Sequence, residues 1–175
     1  MDTQNNYDLQ RFVDAQEPVL ERVCAELRAG HKQSHWMWFI FPQIQGLGRS
    51  SMAARFAISS LAEAKAYYEH KILGQRLRVC TRLVNSVQGR SANEIFGFPD
   101  DLKFHSSMSL FAAATPDEPV FPQALRKYFG GKVDPATIER LWSRRLEPRS
   151  WGSHGDTAGI GEELAGCRRS QWVLG

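Results

Sequence analysis

Apolar residues recur at intervals of three and four along the start of the chain. They are Leu9, Phe12, Val13, Leu20, Val23, Cys24 and Leu27. This spacing predicts an amphipathic helix over residues 7–29, which Gly30 ends. Because Pro18 falls inside it, the helix either kinks there or a second helix opens with proline at its first position.

Two capping boxes mark the starts of further helices. Ser60 is followed three residues later by Glu63, and Ser91 is followed in the same way by Glu94. In this motif the serine and the glutamate satisfy backbone N–H groups that would otherwise lack partners. The boxes predict one helix ending near His70 and a brief one ending at Phe96.

The rest of the pattern predicts more short helices and no strand. Apolar periods and start or stop signals place them over residues 72–87, 100–114, 118–129 and 134–142. We therefore expect an all-α fold, a single compact domain of about seven short helices over residues 7–142. The glycine-rich, irregular residues 143–175 predict a poorly ordered tail.

The segment "SHWMWFIFPQ" contains six consecutive apolar residues, from Trp36 to Phe41. Ser34 is predicted to cap a helix over residues 35–41 that Pro42 stops, although a strand would also suit these residues. A helix without a polar side must be surrounded by other parts of the protein. We therefore expect a wall of the core, and as a second role a pocket along one edge.

Composition limits the class of protein. The chain of 175 residues is 42% hydrophobic and 11% aromatic, which is typical of a globular domain. A net charge of +3 without basic runs is too small to predict nucleic-acid binding. The longest apolar run is too short to cross a membrane.

The cysteines indicate a reducing environment. Cys24, Cys80 and Cys167 are an odd number and form no CxxC pair. Cys24 and Cys80 fall on apolar helical faces, where a free thiol behaves as a small hydrophobe. This usage predicts a cytoplasmic protein.

Three stretches contain residue types that carry chemistry. His31 and His35 have the spacing of a helical metal site, but Gly30 and Ser34 indicate a turn there, and we predict no metal. The segment "GLGRSS", residues 46–51, suits either an anion or a plain turn with a serine N-cap, and the turn is favoured.

The third stretch is the predicted helix over residues 100–114. Asp101, His105 and Ser109 share one line along it, with Ser106 beside them. A carboxylate near a histidine can orient a general base. Aspartates at a helix start also stabilise the helix dipole, and this structural role is favoured.

Together these segments resemble a known family. The stretches "FVDAQEPV", "SHWMWFIFPQIQGLGRSSMA", "ILGQRLRVC", "IFGFPDDLKFHSSMSLF" and "FGGKVDPATIERL" are similar to the bacterial family called domain of unknown function 1810. The resemblance covers roughly residues 7–142 and implies a helical, cytoplasmic protein. It implies no reaction and no catalytic residue. Some members carry the label calpastatin, but inhibitors of that name are polar and poor in aromatic residues.

We expect the domain to bind a small polar anionic, nucleotide-like ligand in an aromatic and basic cleft. Rings would stack on the ligand, and cations would meet its charge. The candidate ligand-binding residues are His35, Trp36, Trp38, Gln43, Arg49, Asp101, Lys103, His105 and Ser106. The alternative is a non-catalytic protein-interaction module whose aromatic residues are purely structural. No cofactor is predicted.

Overall fold

A computed structural model describes residues 7–143 and contains ten helices in that range. They are α1 (Gln10–Gln16), α2 (Leu20–Arg28), α3 (Met37–Ile40), α4 (Ser51–Arg55), α5 (Leu61–Glu69), α6 (Leu73–Ser86), α7 (Ala92–Phe96), α8 (Asp100–Ala114), α9 (Val120–Phe129) and α10 (Pro135–Ser143). Apart from one isolated parallel bridge between Ile44 and Ile58, these residues form no β-structure. The all-α prediction is confirmed. The predicted tail began at Ser143, but Ser143 is the last residue of α10; the remainder, residues 144–175, lies outside the described residues.

The predicted number of helices, about seven, was too low. The first predicted helix, over residues 7–29, is divided into two helices. Helix α1 ends at Gln16, Pro18 lies in a turn, and α2 begins at Leu20. The short α4 was not counted among the seven, although the favoured serine N-cap in this segment is confirmed. It begins after residues 46–48, here called the glycine loop. At its start the Ser50 hydroxyl accepts a hydrogen bond of 3.1 Å from the Ala53 N–H.

The serine caps of the two predicted capping boxes form, although one box differs in detail. Ser91 and Glu94 make the complete reciprocal capping box of α7. The Ser60 hydroxyl accepts from the Glu63 N–H, as predicted. However, the Glu63 carboxylate turns to Ser59 and to Arg11, at 2.8 Å, and so ties α5 to α1.

Helix α8 is the centre of the fold, and its predicted bounds are confirmed. It packs against α5, α7, α9 and α10. Phe104, Met108 and Phe111, predicted to share its core face, are fully buried. Because α8 has neighbours on most sides, its middle turns are buried on every face.

Aromatic pairs connect α8 to the elements around it. The Phe104 ring stacks on Phe96 at 4.7 Å between centroids and meets Phe41 edge-on at 5.0 Å. Such geometries are favoured by the ring quadrupoles and add to the burial of apolar area. They place the aromatic run directly against the central helix.

Over the described range, every helix is too short or too polar to cross a lipid bilayer.

Candidate functional site

The aromatic run forms a wall of the core, with one open edge. Five of the residues from Trp36 to Phe41 are buried, and Trp38 alone among the six is only partly buried. The predicted helix is shorter than expected, because α3 covers only Met37–Ile40. The prediction that Ser34 caps it was wrong, since Trp36 occupies that position without a side-chain cap bond.

Ser34 instead binds a buried carboxylate on α2. Glu26 accepts hydrogen bonds from the Ser34 N–H and hydroxyl, from the Gln33 N–H at 2.9 Å, and from the Trp36 indole N–H at 2.8 Å. Trp36 is 1% exposed, so its ring is held in the core and is not open to a ligand.

These hydrogen bonds determine the ionisation of Glu26. Burial by itself would raise the pKa of this carboxyl. The donors from Ser34, Gln33 and Trp36 outweigh burial and lower the pKa from its ordinary value of 4.5 to about 2. Glu26 is therefore a structural carboxylate that stays ionised at neutral pH.

The open edge at Trp38 carries positive charge. The Lys103 ammonium lies 4.6 Å from the centroid of the Trp38 ring, a cation–π contact. Lys103 also binds one oxygen of Asp100 at 2.7 Å, and Lys32 binds the other oxygen at 2.7 Å. Two ammonium groups thus share one carboxylate, and one positive charge in this trio is not neutralised.

Asp100 is held ionised by its two partners. Partial burial acts to raise the pKa of its carboxyl, but the hydrogen bonds from Lys103 and Lys32 and their charges lower it below the usual value. The Asp100 carboxylate therefore stays ionised at neutral pH.

The glycine loop borders the other side of Trp38. Trp38, Gln43, Gly46 and Gly48 line a common cavity of about 10 Å³, room for about one water molecule. The bridge at Ile44 holds this loop in place through paired backbone hydrogen bonds.

Another cation lies against the loop. Gly46 has a φ of 96°, and a Cβ at this position would clash with the guanidinium of Arg140 from α10. The lack of a side chain therefore lets Arg140 approach the loop backbone. Arg140 was not among the predicted site residues.

The remaining predicted residues of this region are at the surface. His35 lies in the loop between α2 and α3, and Arg49 follows the glycine loop; both are exposed. His31 is exposed in the same loop as His35, so the two imidazoles do not share a helical face. No group of three or more metal-ligand side chains occurs within residues 7–143.

Asp101 and His105, on the predicted line with Ser109, do not pair with each other. Asp101 accepts from the Asn93 side chain at 3.0 Å rather than from the histidine. The His105 ring stacks on Phe129 at 4.0 Å, and its Nε2 lies 2.8 Å from the Lys132 carbonyl oxygen. His105 therefore contacts the end of α9 rather than the edge at Trp38.

The serines of α8 fix the start of α10. The Ser106 hydroxyl donates to Asp134 at 2.8 Å, and the Ser109 hydroxyl accepts from the Asp134 N–H at 2.8 Å. Asp134 in turn caps α10 by accepting from the Thr137 N–H and hydroxyl. Ser106 and Ser109 therefore join α8 to the start of α10.

Sequence reasoning missed Glu26, Lys32, Asp100 and Arg140. Each contacts a residue on another element, and no local motif marks such a contact. The one available signal was that Asp100 precedes Lys103 by three residues, the spacing of a helical ion pair.

A roomier cleft, of about 390 Å³, lies between α5 and the loop that joins α8 to α9. The Tyr68 hydroxyl in its wall donates to Glu118 at 2.7 Å and accepts from Arg78. Glu69, Asp117 and Glu118 line this cleft, with Lys65 as the cation in its lining. The excess of carboxylates disfavours an anionic ligand there.

The fold and the site together define a small all-helical domain built around a buried aromatic helix with a basic edge. The family model described as "Protein of unknown function (DUF1810)" matches residues 6–141, and the chain belongs to this family. The resemblance read from the sequence is thus confirmed.

A solved structure is also similar. It is the crystal structure, at 1.38 Å, of the conserved hypothetical protein Rv1873 from Mycobacterium tuberculosis. The two chains are 57% identical with a TM-score of 0.78, over 79% of this chain and 99% of the other. No curated protein matches the chain.

Proposed function

We propose that this domain binds a small anionic, nucleotide-like ligand at the edge of the aromatic helix. The planar part of the ligand lies against the open part of Trp38. Its anionic group meets Lys103, Arg140 and Arg49. This proposal retains the predicted ligand class and replaces Trp36, His105 and Ser106, which have other contacts, with Lys32 and Arg140.

The position of Trp38 is the observation that supports the proposal most strongly. It is the partly buried member of an otherwise buried run, and an ammonium lies over its ring. A partly exposed indole ring beside cations presents a planar face and positive charge at the same surface. Such a surface can stack on a planar ligand and pair with its anionic group.

The size of the cavity limits how the ligand lies. Since the space behind the ring holds about one water molecule, a nucleotide would rest across the outer surface of Trp38. Gln43 in the cavity wall would offer an amide to its polar groups.

A thermal-shift comparison tests the proposal. Adenosine monophosphate at a hundred times its dissociation constant should stabilise the protein by about 2.7 kcal/mol. Uncharged adenosine at the same concentration should raise the melting temperature less. It lacks the phosphate that the cations bind, so its dissociation constant should be higher.

Matched variants locate the site. Lys103→Gln and Arg140→Gln should each remove most of the shift, whereas Lys71→Gln, an exposed lysine between α5 and α6, should leave it unchanged. The proposal fails if no nucleotide shifts the melting temperature, or if Lys103→Gln responds like the wild type.

A second candidate function is the non-catalytic interaction module. Phe98 and Leu102, at the junction of α7 and α8, are 78% and 53% exposed. Exposed large apolar side chains are typical of protein-binding surfaces. Phe98→Ser should then abolish capture of a partner protein without changing the nucleotide-induced shift.

A further inference from the structure

Two thiols from different helices line one small groove. Cys24 on α2 is partly buried, Cys80 on α6 is fully buried, and both are free. Their helices pack against each other. The groove has a volume of about 240 Å³ and is lined by Leu20, Cys24, Gln75, Arg76, Val79 and Cys80.

The two sulfur atoms differ in ionisation. The neighbouring Cys80 thiol and the positive charge of Arg28 lower the pKa of Cys24 against the raising effect of burial. The neighbouring Cys24 and burial raise the pKa of Cys80. Cys24 is therefore the more readily ionised of the two thiols.

We propose that Cys24 and Cys80 form an oxidation site, in which a small hydroperoxide oxidises Cys24 and Cys80 closes a reversible disulfide. Cys24 is the accessible partner, and Cys80 lies behind it in the same groove. A partly exposed thiolate beside a second thiol is the arrangement of a reactive cysteine with its resolving cysteine. The pair lies on α2 and α6 and is separate from the ligand site proposed at Trp38.

Hydrogen peroxide illustrates the chemistry. The Cys24 thiolate attacks one peroxide oxygen, the O–O bond breaks, and the departing hydroxide takes a proton to become water, which leaves Cys24 as a sulfenic acid. The Cys80 sulfur then loses its proton and attacks the Cys24 sulfur, and the S–O bond breaks to release a second water. The two thiols lose two electrons, and the peroxide is reduced to two water molecules.

The groove has room for a small oxidant. Its apolar walls come from Leu20 and Val79, and its volume of about 240 Å³ accommodates a small hydroperoxide. A dithiol reductant would reverse the reaction through exchange at the more exposed Cys24 sulfur.

Mass spectrometry of the oxidised full chain tests the proposal. The protein is treated with one equivalent of hydrogen peroxide at neutral pH, free thiols are alkylated, and the digest is mapped. The expected product is a linked pair of Cys24 and Cys80 peptides that dithiothreitol separates. Formation of Cys24 sulfinic acid with an alkylated Cys80, or alkylation of both thiols, would overturn the proposal.

Three variants sharpen the result. Cys167→Ser removes the third thiol and should leave the cross-link intact. Cys80→Ala should stop at a Cys24 sulfenic acid that dimedone captures, and Cys24→Ala should lose the reaction with peroxide. If either alanine variant fails to fold, the linkage map of the wild type still decides. A wild-type cross-link from Cys24 to Cys167 in place of Cys80 would also refute the proposal.

Discussion

One buried carboxylate, Glu26, holds the segment that leads into the aromatic run. It accepts four hydrogen bonds from Gln33, Ser34 and Trp36. The donors are two backbone N–H groups, one hydroxyl and one indole N–H. A buried charge is tolerated only when donors replace its lost hydration. The position of Trp36 in the core therefore depends on a residue ten positions earlier.

Glu26 should make the folded state sensitive to acid. Its pKa is lowered to about 2 in the folded protein, below the ordinary value of 4.5 that applies when unfolded. Its contribution to the free energy of unfolding is therefore fully present above about pH 5 and is lost as the pH falls towards 2. At about 1.4 kcal/mol per pKa unit, the complete loss, reached below about pH 2, should be about 3 kcal/mol. Urea unfolding at pH 7 and at pH 3 should show about 2 kcal/mol of this loss, because the carboxyl is still mostly ionised at pH 3 in the folded protein.

Glu26→Gln should destabilise the protein at pH 7 and flatten this acid dependence. Glu21→Gln, an exposed glutamate on the same helix, is the control and should keep the wild-type slope. An equally steep loss of stability in Glu26→Gln would show that other groups cause the acid sensitivity.

Trp38 and Phe111 should differ in their contributions to stability. Phe111 is fully buried, so Phe111→Ala should cost roughly 3–5 kcal/mol of unfolding free energy. Trp38 is only partly buried, and its removal opens space to solvent, so Trp38→Ala should cost less than about 2 kcal/mol. Chemical denaturation of both variants gives the comparison. Equal large losses would mean that Trp38 is a core residue.

The close approach of α6 to the end of α5 requires a glycine near the start of α6. A Cβ on Gly74, the second residue of α6, would overlap the carbonyl oxygen of Tyr68. This oxygen belongs to backbone, which cannot move aside as the end of a side chain can. The close approach fixes the angle at which α6 leaves α5.

Gly74→Ala should therefore destabilise the protein. Helix propensity alone predicts the opposite sign, a gain of about 1 kcal/mol. The overlap should turn this gain into a loss at or above the roughly 1–3 kcal/mol that overpacking costs. The measurement is the midpoint of urea unfolding, with Gln75→Ala at the exposed neighbouring position as a near-neutral control. A stabilised Gly74→Ala would contradict the geometry.

Helices with local start and stop signals could be predicted from the sequence. The bounds of α8, the capping box of α7 and the glycine stop of α9 follow from neighbouring residues alone. The predicted cap of α3 failed because Ser34 binds Glu26, a partner on another helix. A local pattern does not show that a residue on another helix will bind the capping side chain.

At the scale of the whole molecule, the core could be predicted more fully than the site. The apolar periods identified Phe104, Met108 and Phe111, because burial follows from a helical face. The site depends on which faces meet. Lys32, in the loop after α2, pairs with Asp100 at the start of α8. Arg140 of α10 lies against Gly46.

We propose that residues 144–175 are dispensable for folding. The family model ends at residue 141, and the described helices supply a closed aromatic core. A chain that ends at Ser143 should melt within about 2 °C of the full chain in calorimetry, since even 1 kcal/mol would shift the transition by more. A truncated chain that melts far below this value would show that the later residues contribute to the fold.

The aromatic run is closed everywhere except at Trp38, where we propose that a ligand binds. The most direct measurement is a titration of the ¹⁵N-labelled full chain with adenosine monophosphate, following the indole N–H signals by NMR. The Trp38 signal, assigned from Trp38→Phe, should shift saturably, while that of Trp36, bonded to Glu26, should not move. A Trp38 signal that stays fixed at every concentration would contradict the account.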